Sequence, residues 1–116
     1  MRQLQNHKVG LLGSKIDVNV DDPRVMGANT RYVATAPTAD GEVISILTDV
    51  QFQDGPVADI GVKGISPQVL LAITQDHLAG LNSGEMGCHE LRVALNHIHE
   101  ALNALDARTR RLSAAA

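Results

Sequence analysis

The dipeptide Ser66-Pro67 divides the chain between two incompatible periods. Before it, apolar residues alternate with polar ones, as strands require; after it they recur every three or four residues, as helices require. Ser66 offers an N-cap, and Pro67 a first helical residue whose φ is already set. A chain that changes period once in this way is restricted to an α+β plan, a sheet followed by a helical hairpin.

The strands are read from about 15 to 62. Lys15 to Val20 alternates, with Ile16, Val18 and Val20 on one face, and Asp21-Asp22-Pro23 closes it. Thr30 to Thr35 is a second strand, bounded by Pro37 and the turn pair Asp40-Gly41. Glu42 to Gln53 is the third, with Ile44, Ile46, Val50 and Phe52 in one parity. Asp54-Gly55-Pro56 reverses the chain into a fourth, Val57 to Val62. These make a four-stranded antiparallel sheet with one wet face.

The helices are expected at about 67–83 and 89–112. In the first, Leu70, Ile73, His77, Leu78 and Leu81 recur at helical spacing until Gly84. In the second, the stripe is Leu91, Ala94, Leu95, Ile98, Ala101, Leu102, Leu105 and Leu112. A helix of about 25 residues is roughly 37 Å long, longer than its partner helix can cover. Surplus apolar face of this kind points to a homodimer or larger homo-oligomer.

With 116 residues the chain is read as a single domain, 1–116. The aromatics are Tyr32 and Phe52 alone, so the core is aliphatic. A net charge of −3 and the lack of aromatic platforms argue against DNA or RNA as a partner. Cys88 is the single cysteine, which excludes a disulfide framework and a cysteine-built metal site. No apolar run of signal-peptide or membrane-span type is read, and a reducing cytosolic setting is expected.

No catalytic constellation emerges, and no cofactor is expected. His89-Glu90 and His99-Glu100 begin like a zinc-protease motif but lack its second histidine. His97 and His99 fall on different helical faces. Cys88 stands at a helix start without a partner base. Arg108, Arg110 and Arg111 crowd the end of the second helix. The macrodipole alone accounts for cations there; anion recognition by arginine is the other reading. In MGANTRY (Met26 to Tyr32), Gly27, Asn29 and Arg31 make either a plain turn or a backbone nest for an anion.

Three strings are more specific. They are VQFQDGPVADIGVKGIS (Val50 to Ser66), CHELRVALNHIHEALNALDARTRR (Cys88 to Arg111) and GANTRY (Gly27 to Tyr32). Together with LLAI (Leu70 to Ile73), Leu78 and Gly84 they resemble phage sponge proteins of the first Thoeris anti-defence family. That family shares its helical hairpin with an anti-CBASS sponge. The resemblance covers about 100 residues of the chain, and its core patterns are FQxGPV-x3-GVxGI and AL-x2-I-x-EAL-x2-L-x2-RT.

The resemblance implies a sheet with two C-terminal helices, assembled as a homodimer that can build a hexamer in the cytoplasm of the host bacterium. It implies no catalysis. Such proteins hold cyclic nucleotide immune signals intact: cyclic ADP-ribose isomers, and for some members cyclic oligonucleotides at a separate site. Carried over, the family's base-stacking aromatic falls at Leu81 and its asparagine at Leu91. One arginine is retained as Arg108, followed by Thr109; a second falls at Leu112, with Arg111 beside it. A second candidate site is Gly27, Asn29 and Arg31. Losing an aromatic stack removes about 1–3 kcal/mol per base, so altered ligand specificity is expected. The alternative is a protein-interaction module on the same scaffold, its leucine-rich second helix docking a partner.

Overall fold

The computed structural model describes residues 1–115, with the side chains of Asp22, Pro23, Ala114 and Ala115 left aside. The chain forms two compact units, Met1–Ile65 and the residues from Ser66 onward. Together they have the expected α+β composition, an antiparallel sheet and then helices.

The first unit holds β1 (Arg2–Leu4), helix α1 (Gly10–Lys15), β2 (Asp17–Val25), β3 (Ala28–Pro37), β4 (Ile44–Gln51) and the single turn α2 (Val57–Ile60). The sheet order is β1-β2-β3-β4, antiparallel throughout. Four strands were expected, but their membership differs. Arg2–Leu4 supplies one, pairing Arg2 with Val20 and Leu4 with Val18, while Val57–Val62 is not a strand. Val57–Ile60 instead curls into α2, closed by Ile60 N–H on the Pro56 carbonyl at 3.1 Å and Gly61 N–H on the Val57 carbonyl at 2.9 Å.

Asp21-Asp22-Pro23 does not close its strand either. The β2–β3 register slips between Asp21 and Arg24 and then resumes, the kind of irregularity at which a strand tolerates proline. The hairpin turns at Met26 and Gly27, with φ of 53° and 88°. Two successive positive values suit the right-handed twist of the flanking strands. Gly27 takes its value freely, whereas Met26 is held where side chains are disfavoured.

A second slip lies in β4, where Ala34 faces Thr48 but Thr35 faces Ile46. The extra residue, Leu47, inverts the alternation. Ile44 and Ile46 therefore leave the face of Val50 and Phe52 and stand 64% and 69% exposed. The expectation that all four share a face is corrected. The inner face carries Val18, Val20, Tyr32 and Val50, with Tyr32 meeting Phe52 edge-on at 5.6 Å. Val20 is fully buried beneath them.

The second unit is the hairpin of α3 (Pro67–Ser83) and α4 (His89–Ala115). Pro67 opens α3 as the sequence suggests, although the Ser66 hydroxyl makes no capping bond; the Ser66 carbonyl accepts from Val69 N–H at 3.1 Å instead. Gly84 ends α3, its N–H bonded to the Leu81 carbonyl. Half-buried residues define the contact: Leu71, Gln75, Leu78 and Asn82 on α3, and Leu91, Leu95, Ile98, Leu102 and Leu105 on α4. None of these is fully covered, and Val20 is the only buried apolar side chain among the described residues.

Candidate functional site

Leu81, Leu91, Arg108, Thr109, Arg111 and Leu112 all lie in the hairpin, but at opposite ends of it. Leu91 is in the first turns of α4, half-buried on the side that faces α3. Leu81 is near the end of α3 and 36% exposed. Arg108 stands 17 residues beyond Leu91, roughly 26 Å along the helix axis. Within one chain these residues make two separate groups, an apolar one by the hairpin bend and a basic one by the open end.

At the open end Arg108 and Arg111 are exposed and Leu112 is 46% exposed. Among the described residues no carboxylate pairs with either arginine. Thr109 is different. Eighteen residues separate it from Leu91, about five full turns, so it shares that residue's side of the helix and faces α3. Its hydroxyl donates to the Leu105 carbonyl at 3.0 Å and accepts from Gln68 Nε2 at 3.0 Å.

Gly27, Asn29 and Arg31 lie in the other unit, on the β2–β3 hairpin. Gly27 is half of the turn, while Asn29 and Arg31 are already in β3. Asn29 is only 6% exposed. Its side-chain oxygen accepts from Arg2 at 3.0 Å, and its amide donates to the Asp21 carbonyl at 3.1 Å. Arg31 grips Asp49 through two bonds of 3.1 and 2.7 Å and reaches Asp21 at 3.3 Å. Hydrogen bonding from Arg31, reinforced by its charge, holds the Asp49 carboxyl below its ordinary value, and the same contact raises Arg31. An anion arriving at Arg31 meets two carboxylates already in place.

One residue that the sequence reading passed over organises the longest irregular stretch. The Gln53 amide donates to the carbonyls of Gly55 and Gly61 at 2.9 and 2.7 Å, and its oxygen accepts from the N–H groups of Lys63 and Gly64 at 2.8 and 3.0 Å. A carboxamide offers two donor hydrogens and two lone pairs, and all four are used. Backbone bonds between Gln53 and Ile65, and between Ile65 and Gln51, close the base of the loop. Gly64 passes so close to the strand that an added Cβ would lie 2.5 Å from the Phe52 carbonyl carbon. FQxGPV-x3-GVxGI is thus the recipe for a self-closed loop. A glutamine followed by three glycines at fixed spacing was the available signal.

No group of three His, Cys, Asp or Glu side chains among the described residues is placed to hold a metal ion. No described helix is long and apolar enough to cross a membrane. No family model matches the chain. Over 63 residues, 54% of this chain, it is 35% identical to Thoeris anti-defense 1 of Bacillus phage SBSphiJ7, and the matched part spans 44% of that protein's length. The resemblance to the anti-Thoeris family drawn from the motifs is thereby borne out: in sequence, this chain is similar to a phage anti-defence protein.

Proposed function

We propose that this chain serves phage immune evasion by binding a cyclic nucleotide signal of bacterial defence and withholding it, uncleaved, in the host cytoplasm. The observation that carries the reading is the division of the hairpin residues into an apolar and a basic group roughly 26 Å apart. A second copy crossing antiparallel unites them. Ala94, Ala101, Arg108 and Leu112 line the flank of α4 beside its α3 face, and Leu91, Ile98 and Leu105, which α3 leaves only half-covered, border both; together they recur at alternating spacings of three and four, the spacing of a helix-pairing seam.

A two-fold axis between His99 and Glu100 sets Leu91 opposite Arg108, Ala94 opposite Leu105 and Ile98 opposite Ala101. Each large residue of the inner pairs then meets a small one, and each end of the seam gains one apolar and one cationic group. Such a dimer has two equivalent pockets, each with leucines against a base and arginine against phosphate. The half-covered state of the hairpin leucines in the single chain supports the same assembly.

The reading is tested by titration calorimetry against cyclic ADP-ribose isomers and cyclic oligonucleotides, followed by heat release and chromatography of the bound species. Saturable binding with intact recovery is expected, and Arg108→Ala is expected to abolish it without changing the elution volume of the oligomer. Full binding by Arg108→Ala rules out this pocket. A protein-docking role is favoured by a different observation, the exposed Val69 and Ile73 on α3 (39% and 62%). It takes precedence if no nucleotide binds and a co-purifying protein is lost on Ile73→Glu as well as on Leu91→Glu.

A further inference from the structure

Thr109 is carried into the candidate site by its position beside Arg108, but its hydroxyl is already engaged. A threonine hydroxyl has one hydrogen, and here that hydrogen goes to the Leu105 carbonyl at 3.0 Å. Donating to a ligand would break this bond. Gln68, in the first turn of α3, donates to the same hydroxyl at 3.0 Å. That contact fixes the carboxamide at the open end of the hairpin, where Arg108 and Arg111 stand exposed. Of its two N–H groups and one carbonyl oxygen, one N–H is bound to Thr109. The second N–H and the oxygen make no other hydrogen bond among the described residues.

From this geometry we infer that Gln68 is a specificity-determining residue of the pocket, reading the N6 and N7 positions of an adenine base. The inference rests on the sequestration reading above and adds a residue to it. A carboxamide pairs its oxygen with the adenine N6–H and its N–H with N7, whereas guanine offers two acceptors, O6 and N7, on that edge. The basic end therefore prefers a phosphate-bearing ligand whose adenine edge is open. Thr109 acts through Gln68 as a positioning residue.

The test uses the purified 116-residue chain and calorimetry with cyclic ADP-ribose isomers, cyclic di-AMP, its 7-deaza-adenine analogue and cyclic di-GMP. Gln68→Ala is expected to weaken adenine ligands roughly tenfold to a hundredfold. Thr109→Val is expected to act in the same direction more weakly. Replacing N7 by carbon is expected to weaken binding to the parent but not to weaken Gln68→Ala further, a readout that mere loss of packing would not produce. Equal affinity of parent and Gln68→Ala, with Arg108→Ala inactive, overturns the inference and leaves sequestration standing. Parent binding confined to guanine ligands also overturns it. A parent that binds none of the probes overturns both readings.

Discussion

The loop from Gln53 to Gly64 and the open end of α4 are both rich in motif residues, yet they use them in opposite ways. In the loop the glutamine and Gly64 are consumed internally. Gln53 bonds four backbone groups, and Gly64 makes room for the strand. At the end of α4, Arg108 and Arg111 extend into solvent without a carboxylate partner among the described residues. Gln53 and Gly64 are accounted for by folding, while the arginines look outward. Residues of the first kind should register in stability, and residues of the second kind in binding.

Gly64→Ala presses hardest on that contrast. Its Cβ meets Phe52, Gln51 and Gln53 backbone atoms within 2.5 to 2.6 Å, so the loop must leave the strand. A loss of several kcal/mol is expected in urea denaturation followed by circular dichroism. Gln53→Ala comes next. It strands two carbonyls and two N–H groups in a partly exposed loop, and about 1–3 kcal/mol is expected to be lost. Stability unchanged in both variants would mean that the motif serves something other than the loop.

A smaller effect is expected from acid. Asp49 is held below the ordinary carboxyl value of 3.8 first by its hydrogen bond with Arg31. Asp40 is held down by the Thr38 hydroxyl and then by the Glu42 N–H. A depressed folded-state value adds stability that is complete above the ordinary value and disappears as pH falls through the depressed one. The difference in melting temperature between the parent and Asp49→Asn is therefore expected to be present at neutral pH and to close at the acid end. Both groups are exposed, which keeps the effect modest. Smallest of all, Arg108→Ala is expected to stay within about 0.5 kcal/mol of the parent while losing its ligand. A large loss of stability would place Arg108 with the loop residues and erase the contrast.

The hairpin was legible because its signals are local. Ser66-Pro67 and Gly84 bound α3 as read, and the apolar stripe marks the side of α4 that meets it. The sheet was less so, because its errors depend on partners distant in sequence. Arg2–Leu4 is too short to show a period, and a four-residue segment such as Val57–Ile60 (VADI) fits a strand as well as a turn of helix. The slip at Leu47 inverts parity without any proline or glycine to announce it. For the candidate sites, Arg108 was readable as a helix-end cation. Arg31 was not readable as a group already paired, since Asp49 becomes its neighbour only through the β3–β4 register. The Gln68–Thr109 contact spans 41 residues, beyond the reach of any local pattern.

The wiring of Gln53 also has a kinetic consequence. In a strand ladder, amide protons are released in sequence as an end frays; in this loop the N–H groups of Lys63 and Gly64 share one acceptor oxygen. A single rotation of that side chain frees both at once. Their exchange with deuterated solvent is therefore governed by one common opening event, and the two amides report on it as a pair.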